Sequence, residues 1–416
     1  MKILIPTDSF PPLCGGSGWS TYTLAAGLRK RGHDVTVVQP KPGSPEGVRN
    51  RSYEGILVID FGAAAPPVPF VRNYFKNERL YASLGTFLVD FIRREGFDVV
   101  HGQHVMTCIP SVDAAQRAGI PSVCTVRDYW PVCYWADLIH TKVGGELCPG
   151  CTPGMMARCV QPRAGALWPL AIPLIPYMRA NLARKRRGLA AANAVIAVSS
   201  TIAADLRARA PELSATRIEI IPNPVDIEHL RRTAARSGAP IEGRYALYLG
   251  KLAPNKGTSH LIDVVETAEL DWPLVVVGDG PDRPALESRA AASIRDVRFV
   301  GWVDQDAAIP WLAHASMLVF PSRGPESLSR VLIEASALGV PIAAMNTGGT
   351  PDIVVHNETG LLSETASGLA ADVTRLRDDE SLRSRLAAAA RRHADARFDA
   401  PALVARVEAL YEDLRR

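Results

Sequence analysis

Several things are missing from this 416-residue sequence. No apolar run reaches the ~18 residues that a membrane-spanning helix needs. Charge of one sign is not in large excess: the net charge is only +4, so charge alone leaves no nucleic-acid footprint. No dinucleotide fingerprint is present. The loop after the first apolar run, DSFPPLCGGSGWS, carries glycines but not G-x-G-x-x-G, and the second apolar run ends VVQP with no acidic residue. That disfavours a nicotinamide dehydrogenase. The stretch GKLAPNKG lacks the glycine spacing of a P-loop. The opening MKILIPTDSF reads as a short strand, not as a secretory leader. Together with an odd count of seven cysteines, this leads us to expect a reducing, cytoplasmic setting.

What is present is the composition of a folded protein, 47% hydrophobic and 22% charged. The length exceeds one ordinary core and suits two domains of about 200 residues. Short apolar, β-branched runs alternate with helical patterns: KILIP, DVTVV, GILVI, DVV, SVCTV and AVIAV, then YALYLG, LVVVG, VRFVG, MLVFP and PIAAM. Strands buried on both faces of a parallel sheet read this way. The expected architecture is α/β, with doubly wound layers. IIPNPVD interrupts any regular element and marks a boundary near Val225. The expected division is an N-terminal domain over 1–224, a C-terminal domain over 225–399, and a helix over 400–416 that packs back. Ligand crevices in such sheets lie at the carboxyl ends of the strands.

Gly15, Gly16 and Gly18 precede a helix expected from about Ser20, and there glycine backbone suits a phosphate. Lys251 and Lys256 flank a loop after a strand and suit a diphosphate. Gly278 and Gly280 in GDGP either let a flat base lie on backbone or simply form a turn. Glu326 and Glu334 in PESLSRVLIEASALG bracket the start of a helix expected from about Ser327. Their separation of about 12 Å along a helix suits two ends of one polyhydroxylated ligand. His101 and His104 in VVHGQH lie at a strand end; the bland reading of each is a satisfied structural histidine.

These stretches, with ANAVIAVSS, IPNPVD and GGTPDIVVHNETGLL, resemble in order and spacing a family 4 retaining glycosyltransferase of the GT-B fold. The resemblance covers nearly the whole chain. It implies two Rossmann-like domains facing each other across a cleft, and transfer of a sugar from a nucleotide-diphosphate donor to an acceptor hydroxyl with an α-linkage. It implies that Lys251 and Lys256 hold the diphosphate, that Gly16 lies against it beside Gly15, and that Glu326 contacts the donor sugar. Glu334 would contact the ribose, and backbone through Ser327, Leu328 and Ser329 would face the donor. It implies no metal for catalysis. One departure stands out: CTVRDYW places Arg127 where the family often carries a histidine, with Asp128 after it. Arginine is no general base at neutral pH but can stabilise phosphate or orient a carboxylate; Glu326, Lys256, Arg127 and His104 are the catalytic candidates, and His101, His104 and Asp128 are acceptor-side candidates. A sugar phosphorylase, a nucleotide-sugar epimerase and a non-catalytic nucleotide-sugar-binding protein are the alternatives.

Two features stand outside this pattern. Cys133, Cys148, Cys151 and Cys159 crowd an insertion at about 130–160, with the two-residue knuckle CPGC. A structural zinc or iron–sulfur site, free thiols and disulfides are the alternatives there. Residues 164–187 form a proline-broken apolar run with Trp168 and Tyr177, leading into Arg179, Arg184, Lys185, Arg186 and Arg187. Such a stretch either dips into an anionic membrane surface or packs as a helical hairpin. A glycan or lipid-linked acceptor in cell-surface polysaccharide or glycolipid synthesis is the matching expectation, with the chain peripheral on the inner face of the membrane.

Overall fold

The computed structural model describes residues 1–68, 71–139 and 148–416. The chain forms two compact units, one of residues 1–224 with 400–416 and one of residues 225–399.

The first unit is built on an eight-stranded sheet in the order β3-β4-β2-β1-β5-β6-β7-β8. Its strands are β1 (Lys2–Pro6), β2 (Asp34–Pro42), β3 (Gly47–Tyr53), β4 (Ile56–Ala63), β5 (Val99–Gln103), β6 (Ser122–Val126), β7 (Ala194–Ala197) and β8 (Ile218–Ile220). All pair in parallel except β3, which runs antiparallel to β4. The period-two rule divides β1 between two cores. Ile3 and Ile5 pack with Leu24 and Leu28 of α1 (Gly16–Lys30). Leu4 packs on the other face with Leu84 and Leu88 of α2 (Leu80–Glu95). Four further helices matter below: α3 (Val105–Ala118), α4 (Pro153–Ala164), α5 (Ile175–Ala190) and, late in the chain, Ala400–Leu414. The last of these joins the first core through Leu403, Val404, Val407 and Tyr411. Helix α1 begins at Gly16, earlier than the expected Ser20. Gly18 lies inside its first turn, where a Cβ would stand 2.6 Å from Cys14 Cβ. Among the described residues no helix is long and apolar enough to cross a membrane.

The second unit has a six-stranded parallel sheet in the order β11-β10-β9-β12-β13-β14. Its strands are β9 (Ala246–Leu249), β10 (Leu274–Val277), β11 (Val297–Gly301), β12 (Met317–Phe320), β13 (Ile342–Met345) and β14 (Leu361–Ser363). One face buries Tyr248, Val276, Met317 and Val319 beneath helical Leu261, Val264 and Val265. The helix expected from Ser327 starts later, over Arg330–Leu338; the helix at Ala400–Leu414 follows it in our numbering, so these are α6 and α7. Residues before α6 are held off helical geometry by long-range backbone bonds. Gly324 N–H donates to Asn255 O at 2.7 Å, and Gly349 N–H donates to Glu326 O at 2.6 Å.

Candidate functional site

In each unit the strand order reverses at one point, and each reversal carries an acid–base pair. Strands β9, β10 and β11 run outward one way and β12, β13 and β14 the other, so the switch lies between β9 and β12. Such switch points open a crevice at the strands' carboxyl ends. Lys256 follows β9 and Glu326 follows β12, and they meet there: Lys256 Nζ lies 2.6 Å from Glu326 Oε1. Ser322 Oγ donates to the same carboxylate oxygen. Glu326 is only 8% exposed, so burying it requires these partners. Lys251, in the same loop, is exposed.

Glu334 sits on α6, buried, and accepts from Arg330 Nε at 2.7 Å and Gln305 Nε2 at 2.8 Å. Burial raises its pKa, and Arg330 and Gln305 oppose that rise. Arg330 is one helical turn earlier, the spacing at which side chains meet. Neither Arg330 nor Gln305 is marked by a motif. The loop glycines have steric reasons. A Cβ on Gly257, at φ +65°, would fall 1.9 Å from Pro321 O, and one on Gly348, at φ +53°, would fall 2.0 Å from Glu326 O. Gly278 and Gly280 are packed against this unit's own backbone, their Cβ positions 1.9 Å from Gly250 O and 2.2 Å from Leu252 O. That close approach is reason enough for glycine at both positions.

The first unit reverses between β1 and β5. Asp8 follows β1 and His104 follows β5. His104 Nδ1 lies 3.4 Å from Asp8 Oδ2, and Nε2 lies 3.2 Å from Asp128 Oδ2. The Val105 amide N–H donates to Nδ1 at 3.0 Å. Burial alone would lower the imidazole's pKa, but Asp128 and Asp8 more than reverse that and raise it to about 9. A pKa so raised favours the protonated ring at neutral pH, in competition with the Val105 amide for Nδ1. Its backbone has φ +82° and ψ −179°, a region otherwise left almost entirely to glycine. Asp8 is anchored in turn by the Met106 amide at 3.1 Å and by Thr107 Oγ1 at 3.2 Å. Asp128 accepts the Trp130 amide at 2.8 Å.

Residues 14–229 match the family described as Glycosyltransferase Family 4, and residues 243–379 match Glycosyl transferases group 1. The chain belongs to glycosyltransferase family 4. It is 27% identical to a glycogen synthase of Mycobacterium tuberculosis over 96% of this chain and 91% of that one. It is 28% identical to a GDP-mannose-dependent alpha-mannosyltransferase of Mycolicibacterium smegmatis over 87% and 84% of the two chains. Sucrose-phosphate synthase from Thermosynechococcus elongatus superposes with a TM-score of 0.70 at 20% identity, over 100% of this chain and 99% of that one. An Anabaena protein solved with UDP and glucose superposes with a TM-score of 0.68 at 19% identity, over 99% of each chain. The fold is GT-B, and the protein is a glycosyltransferase.

The structure revises several assignments made to this glycosyltransferase from sequence. His101 is not open to an acceptor: it is fully buried, with Nδ1 2.5 Å from Tyr411 Oη and Nε2 2.6 Å from Thr125 Oγ1. Burial, helped by Arg127, lowers its pKa well below the ordinary value and keeps it neutral. His104 is held between Asp8 and Asp128, which raise its pKa to about 9 against the effect of burial. Arg127 is buried at 6% exposure among amides rather than acids. Its Nε donates to Asn223 Oδ1 at 2.9 Å and its Nη1 donates to Gln103 Oε1. Burial lowers its pKa to about 10, still leaving it charged. Asp8 was missed because a single aspartate after a strand carries no motif.

No disulfide joins any of the seven cysteines of the chain, four of which lie in the insertion. Cys133 and Cys151 are in hydrogen-bond contact, which draws Cys133 down to about 6 and pushes Cys151 up. Arg163 of α4 clamps the insertion by donating to Cys159 O at 2.8 Å and Asp137 Oδ2 at 2.5 Å. Among the described residues no three His, Cys, Asp or Glu side chains are grouped to hold a metal ion. Residues 140–147, between Cys133 and Cys148, lie outside the described residues.

Proposed function

We propose that the chain moves a sugar from a nucleotide-diphosphate sugar to an acceptor hydroxyl with retention, giving an α-linkage, and that no metal takes part. The observation that carries this is the pairing of Lys256 with Glu326 at the β9/β12 switch, with Glu334 buried on the helix that follows. In this reading the donor diphosphate takes Lys256 and exposed Lys251 as counter-charges. Lys256 then exchanges a carboxylate for a phosphate, and Glu326 is released to accept hydroxyl hydrogen bonds from the sugar. Glu334, oriented by Arg330, accepts from the ribose. The relatives named for glycan synthesis and the neighbour solved with UDP and glucose support a nucleotide-sugar donor.

The acceptor, in this reading, is a cell-surface glycan or lipid-linked precursor met at the inner face of an anionic membrane. Leu170, Ile172, Leu174 and Tyr177 are exposed at 75%, 39%, 42% and 38%. Exposed Arg179, Arg184 and Arg187 follow them, and no acidic residue occurs between Glu146 and Asp205. Apolar side chains beside basic ones suit a headgroup boundary. Cosedimentation with phosphatidylglycerol vesicles tests that part; a chain wholly in the supernatant refutes it.

The transferase reading is tested by thermal-shift titration with UDP-, GDP-, ADP- and dTDP-sugars. A ligand at 100 times its Kd stabilises the folded state by about 2.7 kcal/mol. One nucleotide class should bind, and Lys256→Ala and Glu334→Ala should each remove the shift. No shift with any nucleotide sugar overturns the reading. The anomeric configuration of the product, read by NMR, tests retention separately.

A further inference from the structure

Lys185 is a buried cation that no described residue neutralises. It lies on α5 and is 5% exposed. Among the described residues no hydrogen bond or ion pair reaches its ammonium; its recorded contact is the Tyr134 ring, 5.9 Å from Nζ to the centroid. Three polar neighbours on the helix are tied down. Asn181 Nδ2 donates to Glu78 Oε1 at 2.6 Å, Arg184 pairs with the same oxygen, and Arg186 Nε donates to Pro131 O at 2.7 Å.

The carboxylates that face Lys185 are Asp128, Glu78 and Asp8, and Arg184 opposes it. Each of those acids is already engaged. Asp128 holds His104 and the Trp130 amide. Asp8 holds His104, the Met106 amide and Thr107. Glu78 holds Tyr177, Asn181 and Arg184. Burial accordingly lowers the Lys185 pKa to about 8 despite the acids. Lys76 also faces Asp8, with Arg72 opposing it. With Glu78 matched by Arg184, the cations of Arg127, Lys185 and Lys76 share the two carboxylates of Asp8 and Asp128. An excess of positive charge beside Asp8 and Asp128 is the complement of a phosphate. Lysine binds phosphate as a point charge, without the planar fork that favours arginine for carboxylates.

We propose that Lys185 anchors a phosphate-binding subsite on the first unit, so that the acceptor is a phosphorylated molecule, either a sugar phosphate or a lipid phosphate. This rests on the transferase reading for the word acceptor. The subsite itself is independent of it.

The test titrates inorganic phosphate into the full chain carrying Lys256→Ala, which removes the lysine assigned to the donor. Calorimetry should show phosphate bound. Adding Lys185→Gln should weaken it roughly tenfold or more, the loss of one charge-assisted hydrogen bond. Lys185→Arg should keep it within about threefold, since the charge remains. In the ligand-free chain Lys185→Gln should raise the unfolding midpoint, because a buried unneutralised cation has gone; this also reports that the variant folds. Equal phosphate binding with Lys and Gln at 185, or none with Lys185 present, overturns the proposal. Glucose 6-phosphate against glucose, and phosphatidic acid vesicles against diacylglycerol-containing vesicles, separate the soluble source from the lipid one. Phosphate binding that depends on Lys185 in a chain that binds no nucleotide sugar would sink the donor reading and leave the subsite standing.

Discussion

His104 should make the first unit's stability depend on pH in a direction opposite to acid denaturation. Its pKa rises from 6.5 to about 9 on folding. At about 1.36 kcal/mol per tenfold change in proton affinity, that is an upper bound of roughly 3.4 kcal/mol. The side chain is 22% exposed, so solvent screening trims the expectation to about 2–3 kcal/mol. A pKa raised on folding gives stability that is complete below pH 6.5 and lost as pH climbs through 9. His104→Asn removes the charge while keeping a Cβ, so the backbone cost of this conformation stays as in the wild type. Urea denaturation should show the variant weaker by about 2–3 kcal/mol at pH 6 and by less than about 1 kcal/mol at pH 9.5. His104→Gly removes the same ion pairs but relieves a backbone conformation that costs on the order of 1–3 kcal/mol, so it should fall between Asn and wild type at pH 6. Equal losses for Asn at both pH values would refute the argument. They would mean that Nδ1 simply accepts the Val105 amide and that the ring stays neutral.

Other variants test other parts. Tyr411→Phe leaves His101 Nδ1 buried without its 2.5 Å partner and should cost about 1–3 kcal/mol in the same denaturation assay. The His101 contribution runs opposite to that of His104: its folded pKa is depressed, so stability is lost as pH falls below its ordinary value. Gly257→Ala forces a Cβ to within 1.9 Å of Pro321 O at φ +65°; it should destabilise the second unit by about 3 kcal/mol or more and abolish donor-induced thermal shifts. Turnover should survive exhaustive EDTA treatment, and a loss restored by added Mg²⁺ would contradict metal-free transfer. Elemental analysis addresses Cys133, Cys148, Cys151 and Cys159: one zinc, or a cluster's worth of iron, per chain supports a structural ion. A metal-free folded chain with seven titratable thiols removes it.

The runs of buried β-branched residues made most strands legible, because a strand covered on both faces has no polar alternation to confuse it. GVRNRSY gave no such signal. It forms β3, an exposed antiparallel edge, and edges are kept polar. The three residues of β8 and of β14 are too short for periodicity to register. Helix α6 begins at Arg330 rather than Ser327 because Asn255, dozens of residues earlier, captures the preceding loop. The same limit applies to the sites. Lys256, Glu326 and Glu334 stood out by type and position, but that the first two pair with each other is a tertiary fact. Gln305, Arg330, Asp8 and Lys185 matter because of what the fold brings beside them. His101 and His104 looked alike in VVHGQH, yet one is a neutral core residue and the other a strained residue held between two aspartates. Only the alternation of β5 and the turn after it separate them.

The helix at Ala400–Leu414 belongs to the unit that opens the chain, and the whole of 225–399 is threaded between. The two crossings lie side by side: Val225 N–H donates to Phe398 O at 3.0 Å, and Val225 bridges Asp399. During synthesis, therefore, the unit begun first is finished last. Its sheet emerges without the helix that covers Ile3, Ile5 and Leu24, while the second unit is complete as soon as Asp399 is out. The nascent first unit must wait with that core only partly covered by α1, a period in which exposed surface invites misassembly or chaperone binding. The same threading offers a remedy at the bench. Because Pro224 and Ala400 flank the paired residues, excising 225–399 and rejoining the ends over a short linker is the cut that the chain path suggests.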